Sequence, residues 1–147
     1  MKNLVSIFAG HDANISFYNA EANTYHSIEI ERFEKKRYFR LHEDNSPEYQ
    51  KYILESCRNI AEAEWGIKND YEAVLLICSD VYIQTNHREI FNTEKVTTIA
   101  THHQTHALSA LYLSPFDKAL IVSYDGGGDD GHFNIYVGDK QNGKIKL

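Results

Sequence analysis

The first 32 residues alternate between apolar and polar positions in three short runs, which turn-forming residues separate. The runs are 3–9, 13–18 and 24–32, and the turns are 10–12 and 19–23. A side-chain period of two is typical of strands that bury one face. Because turns this short join only antiparallel neighbours, the pattern predicts a three-stranded antiparallel meander.

A charged segment, residues 32–45, follows the meander and predicts a loop that leads into a helix. Ser46 supplies an N-cap oxygen and Pro47 suits the first helical position. The helix is predicted to run to about Trp65, and Gly66 ends it. The side chains expected to face the core are Tyr52, Ile53, Cys57, Ile60 and Ala61.

Apolar runs alternate with a second helical segment in the rest of the chain. Predicted strands cover 73–78, 96–100, 118–124 and 131–138, and residues 80–94 are predicted to be irregular. Thr101 is expected to cap a helix that ends near Leu113. The β-β-β-α-β-α order with a mixed sheet is typical of an actin-like ATPase (ribonuclease H-like) repeat, an α/β fold. The last two strands then form the opening hairpin of a second repeat, so residues 1–147 are expected to be the N-terminal portion of a larger domain.

Composition and charge argue against two classes of protein, general nucleic-acid binders and membrane proteins. The 147 residues carry a net charge of −6, which argues against general binding to nucleic acid. The chain contains neither an apolar run of membrane-spanning length nor a signal-peptide pattern, so a cytoplasmic protein without membrane partners is expected. In that compartment Cys57 and Cys78 are expected to be reduced, buried thiols.

The most informative segment is a histidine cluster followed by an acidic glycine loop. His102 and His106 are spaced i, i+4, which places both imidazoles on one helix face. Asp125 ends the next strand and can complete a metal site, and this donor set suits Fe(II), Mn(II) or Zn(II). His103 points about 100° away from that face and is predicted to orient a ligand or contact the substrate. The competing interpretation is a set of polar residues at a helix end.

Three consecutive glycines follow Asp125, which is more than a hairpin turn requires. The bare backbone of Gly126, Gly127 and Gly128 suggests close approach of a phosphate group. Asp129 and Asp130 would repel a bare phosphate, so a bridging metal or a ribose hydroxyl is expected there as well.

Two further segments carry candidate chemistry in the first half of the chain. His11, in the first turn, is predicted to shuttle a proton or to stabilise a developing oxyanion. The basic run that contains Lys35, Lys36 and Arg37 is either a solvated loop or an anion-binding loop, and both interpretations stay open.

Four motifs occur in order between residues 10 and 131. They are Gly10-His11-Asp12-Ala13, Glu29-Ile30-Glu31-Arg32-Phe33, His102 to Ala110 with Ser114-Pro115-Phe116, and Asp125-Gly126-Gly127-Gly128-Asp129. Together they resemble the NodU/CmcH-type O-carbamoyltransferase family. The more distant HypF-type proteins share the histidine pair but not the Glu-Arg-Phe segment.

The resemblance implies an enzyme with an actin-like N-terminal domain and a separate C-terminal domain. ATP and carbamoyl phosphate would give a carbamoyl-adenylate, whose carbamoyl group passes to a hydroxyl of a small-molecule acceptor. The implied metal ligands are His102, His106 and Asp125, with iron(II) as the expected metal, and a further family aspartate falls beyond Leu147. His11 corresponds to a position near the transferred group, and either His11 or His103 is predicted to be the catalytic base that removes the proton of the acceptor hydroxyl. One of Lys35, Lys36 and Arg37 corresponds to a substrate-binding lysine.

Two other classes of function remain open at this stage. One is a different actin-fold ATP-dependent enzyme, either a small-molecule kinase or a threonylcarbamoyl-transfer protein. The other is a non-catalytic module that binds metal or nucleotide. If the chain is the expected fragment, it is inactive alone and can self-associate through an apolar surface or a free sheet edge.

Overall fold

The computed structural model describes residues 2–41, 45–77, 85–128 and 130–147, apart from the side chains of 99 and 100. It divides into two compact units, Met1–Ile99 and Ala100–Leu147. Cys78 and Asp129 lie outside the described residues. Among the described helices, none is long and apolar enough to cross a membrane.

The described elements form a mixed α/β structure with eight strands and four helices. The strands are β1 (Asn3–Phe8), β2 (Asn14–Asn19), β3 (Thr24–Glu29), β4 (Tyr71–Ile77), β5 (Val96–Ala100), β6 (Lys118–Gly128), β7 (Gly131–Asp139) and β8 (Lys144–Lys146). The helices are α1 (Ile30–Glu34), α2 (Pro47–Trp65), α3 (His87–Ile90) and α4 (His102–Leu113).

The first unit contains a five-stranded mixed sheet in the order β3-β2-β1-β4-β5. The predicted antiparallel meander is confirmed, since β1 pairs antiparallel with β2 and β2 pairs antiparallel with β3. β4 returns parallel to β1, with Ile7 opposite Leu76. This parallel pairing requires a crossover connection, and the segment that contains α2 supplies it.

Helix α2 begins and ends at the residues that the sequence predicts. The Ser46 side chain accepts a hydrogen bond from the Tyr49 amide, and Gly66 adopts a left-handed φ of 64°. The buried stripe follows the i, i+3, i+4, i+7 spacing of a core-facing helix. It consists of Gln50, Ile53, Leu54, Cys57 and Ala61. The inward orientation predicted for Tyr52 is wrong, because that side chain lies one position beside the stripe and is exposed.

The N-cap of α2 gives a direct stability prediction. Ser46→Ala leaves the Tyr49 amide without its side-chain acceptor, so the free energy of unfolding should fall by about 1 kcal/mol. Chemical denaturation followed by circular dichroism measures this change. Glu64→Ala on the exposed face of the same helix is the control and should change stability by less than about 0.5 kcal/mol. Equal effects of the two variants would contradict the capping assignment.

Several predicted boundaries are wrong. The strand predicted over 24–32 ends at Glu29, because Ile30 turns into the core and begins the short helix α1. The left-handed conformation of Lys35 (φ 55°) ends that helix. The segment predicted to be irregular includes α3, which the Asn86 side chain caps. Strand β8 was not predicted, since three residues are too few to show a period.

The second unit contains a three-stranded antiparallel sheet in the order β6-β7-β8. Helix α4 packs on one face of this sheet, where Ala107 and Leu111 contact Ile121 and Tyr136 in a small apolar core. Gly138 is required there, because an added Cβ would lie 2.7 Å from a Leu111 methyl carbon. This packing brings the histidine-bearing end of α4 to the β6–β7 hairpin.

Candidate metal centre

The predicted histidine pair lies on the first turns of α4. The i, i+4 spacing stacks His102 and His106 on one face, with their ring centroids 4.6 Å apart. Their Nε2 atoms are 3.1 Å apart. Both rings therefore present a nitrogen to the same point beside the helix.

Asp125 reaches that point from strand β6. The alternation of β6 turns Ile121 and Ser123 toward the buried side of the strand, and Asp125 continues the same parity. Residues 125–127 then bulge opposite the single residue His132 of β7. A bulge of this kind re-aims a side chain. The Asp125 Oδ2 atom lies 2.8 Å from Nε2 of His102 and 3.4 Å from Nε2 of His106.

The three donor atoms fit the size of a transition-metal site. A metal with bonds of about 2.1 Å separates adjacent ligands by roughly 3.0 Å in octahedral geometry and roughly 3.4 Å in tetrahedral geometry. The observed separations of 2.8, 3.1 and 3.4 Å are close to that range. The side chain of His102 is 13 % exposed, whereas those of His106 and Asp125 are 56 % and 44 % exposed. The cluster is thus open on one side, where a substrate oxygen could complete the coordination.

The charge state of Asp125 suits a ligand role. A hydrogen bond from His102 and a second from the Gly126 amide lower the pKa of Asp125 to about 2. The carboxylate is therefore ionised at neutral pH and offers a negative oxygen to a cation. Two imidazoles and one carboxylate form a donor set that Fe(II), Mn(II) and Zn(II) share.

No family model matches the chain, and no curated protein matches it. The chemistry of these three side chains is therefore the basis on which we assign a role.

His103 occupies a different environment from its two neighbours in α4. Its ring is fully buried, with Nδ1 2.7 Å from the Ser123 hydroxyl and Nε2 2.9 Å from the Gly131 carbonyl oxygen. A carbonyl oxygen only accepts, so Nε2 carries the proton and donates it. The ring fastens α4 to the hairpin. Since it has no exposed surface, the catalytic and substrate contacts predicted for His103 are not available to it in this structure.

Asp130 makes contacts that the sequence did not predict, beyond its expected place in the acidic loop. Its carboxylate accepts hydrogen bonds from the Thr101 hydroxyl, the His103 amide and the Tyr136 hydroxyl. Burial raises the pKa of Asp130, but hydrogen bonds from Thr101 and His103 outweigh it and hold the pKa below its ordinary value. Thr101 occupies the N-cap position of α4 without capping it through its side chain. Asp130 therefore caps the histidine helix from the hairpin.

The cap that Asp130 provides can be tested by substitution. Asp130→Ala should lower the free energy of unfolding by about 1–2 kcal/mol and should weaken metal binding about tenfold, because the helix end that carries His102 loses its anchor. Asp130→Asn keeps an acceptor and should recover part of both effects. Thermal denaturation and metal titration measure them, with exposed Asp117→Ala as the control. If Asp130→Ala behaves like that control, Asp130 does not anchor the helix.

The three glycines have different surroundings. At Gly128 an added Cβ would lie 2.7 Å from the Cβ of His102, so the backbone there packs directly against a predicted ligand. Gly127 has a φ of 155°, and the His132 ring lies close to it. Gly126 has open space around it. Two of the three glycines are thus explained by packing and backbone conformation, and only Gly126 leaves room for a ligand.

The remaining predicted site residues belong to the unit Met1–Ile99. His11 is exposed, and its Nδ1 lies 2.8 Å from Oδ2 of Asp12. The exposed side chains of Lys36 and Arg37 lie over the rings of Phe39 and Tyr38. The chain after this basic run returns to the first turn, where the Ala13 amide donates to the Phe39 carbonyl and the Leu41 amide donates to the Ala9 carbonyl. The basic run and the His11 turn are therefore neighbours within this unit.

Proposed function

We propose that His102, His106 and Asp125 bind a divalent transition metal in an O-carbamoyltransferase that uses ATP and carbamoyl phosphate. The observation that carries the proposal is the convergence of the three donor atoms, all of which lie within 4.8 Å of one another. Iron(II) is the expected metal, with Mn(II) and Zn(II) as alternatives that the same ligands accept.

The fold supports the actin-like part of this proposal. The first unit joins an antiparallel meander to a parallel strand through a connection that contains α2. The hairpin formed by β6 and β7 then fits the opening of a second repeat. We therefore propose that residues 1–147 are the N-terminal portion of an actin-like carbamoyltransferase domain, whose further parts complete the nucleotide site.

The proposed chemistry assigns a task to each group of predicted site residues. A bound metal would polarise phosphate and carbonyl oxygens at the open side of the histidine cluster. The space around Gly126 would accept a phosphate of ATP. The exposed His11 imidazole, placed beside Asp12, would take the proton of the acceptor hydroxyl. Lys36 and Arg37 would hold an anionic group of the substrate through charge-assisted hydrogen bonds.

In the transfer of the carbamoyl group to the acceptor, one bond forms and one bond breaks. The acceptor oxygen forms a bond to the carbamoyl carbon of the carbamoyl-adenylate, and the bond from that carbon to the AMP oxygen breaks. The hydroxyl proton passes to the base, and AMP leaves with its phosphate oxygen negatively charged. Formation of the adenylate consumes one water: hydrolysis of carbamoyl phosphate releases phosphate and carbamate, and a carbamate oxygen then attacks the α-phosphorus of ATP and displaces pyrophosphate. A carbamate carbonyl is a poor electrophile, so this adenylation supplies the leaving group.

The test uses the product of the complete reading frame that contains this sequence. Incubation with ATP and carbamoyl phosphate should release phosphate and pyrophosphate and form carbamoyl-adenylate, which mass spectrometry detects. The double variant His102→Ala/His106→Ala should lose this product, whereas His132→Ala on the same hairpin should keep it. Phosphorylation of a small molecule without the adenylate would instead identify a kinase. Metal binding without either product would identify a binding module.

A further inference from the structure

The sheet of the second unit has two apolar faces, and α4 covers only one of them. Strands β6 and β7 carry six large apolar side chains that are between 46 % and 81 % exposed. They are Leu120, Val122, Tyr124, Phe133, Ile135 and Val137. Their parity is opposite to that of Ile121 and Tyr136, which pack on α4. The exposed side chains therefore share the face that points away from the helix.

The strand register joins these side chains into one continuous patch. Leu120 lies opposite Val137, Val122 opposite Ile135, and Tyr124 opposite Phe133. Successive pairs on one face of a sheet contact each other along the strands. Charged residues border the patch at one end. There Lys118 pairs with Asp139, and β8 carries Lys144 and Lys146. At the other end it reaches the pair of Gly128 and Gly131.

We infer that this face, named here the β6–β7 face, is a homodimer interface on which a second copy of the chain packs sheet against sheet. The six side chains expose roughly 700 Å² in total, against about 800 Å² per partner in a stable complex and at most about 600 Å² for the largest apolar patch of a typical monomer. Two apolar sheet faces pack against each other at a separation of about 10 Å. An identical face is a suitable partner because a twofold axis makes the contact self-complementary.

The distribution of charge selects one orientation of the two copies. If the twofold axis ran along the strands, the lysines at one end of the face would lie over the same lysines of the partner. With the axis across the strands, at the level of Val122 and Ile135, the lysine end lies over the glycine end of the partner. Val122 then faces the partner's Val122, and Leu120 faces the partner's Tyr124. This arrangement keeps like charges apart, so we assign the twofold axis that runs across the strands.

Sedimentation equilibrium of the full chain tests the interface. The wild-type chain should be a dimer at micromolar concentration, and Val122→Lys should weaken association by at least about 100-fold because two ammonium groups meet at the axis. Leu113→Lys, at an exposed apolar position on the end of α4, should leave the dimer intact. Circular dichroism should show that the wild-type chain and both lysine variants are folded, because Val122 is a surface residue. A monomeric wild-type chain at 100 µM, or equal effects of both lysine variants, would overturn the inference.

Cross-linking tests the orientation. A short bismaleimide should join two copies of Val122→Cys but not two copies of Leu120→Cys, and the wild-type chain measures the background from Cys57 and Cys78. Efficient linkage of Leu120→Cys but not of Val122→Cys would overturn the axis assigned above. Neither experiment measures metal binding or carbamoyl transfer. The dimer can therefore be disproved while the proposed function holds, and the proposed function can be disproved while the dimer holds.

Discussion

Replacing His102 and His106 together by alanine should abolish metal binding by this chain. Each ring supplies one nitrogen donor, and Asp125 alone would remain as a single, half-exposed carboxylate. Each single alanine variant should weaken binding by roughly 100-fold or more, since losing a ligand should cost at least as much as losing one of its supporting contacts. Asp125→Asn keeps an oxygen but loses the charge, so its effect should be of similar size.

Calorimetric titration with Zn(II) and Co(II), and with Fe(II) under anaerobic conditions, measures these affinities. The visible absorption of bound Co(II) reports the geometry independently of the heat signal. His132→Ala is the matched control because it removes an imidazole from the same hairpin outside the cluster. His102 is partly buried, so each variant is compared by thermal denaturation without metal. Unchanged affinity in the double variant, with the fold intact, would show that the cluster is not the metal site.

The same measurements separate two sources of stability in the second unit. Without metal, His102 donates to Asp125, and the buried His103 joins α4 to the hairpin through Ser123 and Gly131. These contacts need no cation. A bound metal stabilises the folded state further by mass action, with the gain growing as the logarithm of metal concentration. The melting temperature should thus rise with added Zn(II) in the wild-type chain and stay constant in the double variant.

Local sequence signals predicted much of the fold, and tertiary contacts account for what they missed. Ser46 and Gly66 act on their own helix, so their roles can be recognised without knowing the rest of the structure. Ile30 continues the alternation of its strand and its amide still bonds to the Ala13 carbonyl, yet its side chain is buried in the core and helix α1 begins at this residue. Tyr52 is apolar enough to suit the core, but the buried stripe of α2 runs beside it.

The candidate site also combines local features, which the sequence predicts, with tertiary features, which it does not. The spacing of His102 and His106 is a local property of a helix and could be predicted from the sequence alone. The direction of the Asp125 side chain depends on strand parity and on a bulge. The sequence is compatible with both features but does not determine them. The capping role of Asp130 requires the hairpin to fold back onto α4, so it follows from tertiary structure alone. A helix N-terminus whose own Thr101 makes no side-chain cap is the signal that such a partner exists.

The glycine loop has a packing role and a proposed phosphate-binding role, and substitution separates them. Gly128→Ala should lower the free energy of unfolding by about 1–3 kcal/mol, because the new methyl group would lie within 3 Å of three His102 carbon atoms. Since His102 must move, metal affinity should fall by about 10- to 100-fold. Gly126→Ala places the same methyl group in open space, so stability and metal affinity should both stay within measurement error.

The two alanine variants also distinguish packing from phosphate binding. If the glycines are present only to let the hairpin approach α4, Gly126→Ala should leave the affinity for ATP unchanged in the complete protein. If the loop also holds a phosphate, as proposed, Gly126→Ala should weaken ATP binding about tenfold while metal binding is retained, because a methyl group occupies the space of the ligand. Metal titration and nucleotide titration on the same pair of variants therefore assign each glycine. Equal losses of metal affinity in both variants would contradict the packing role of Gly128.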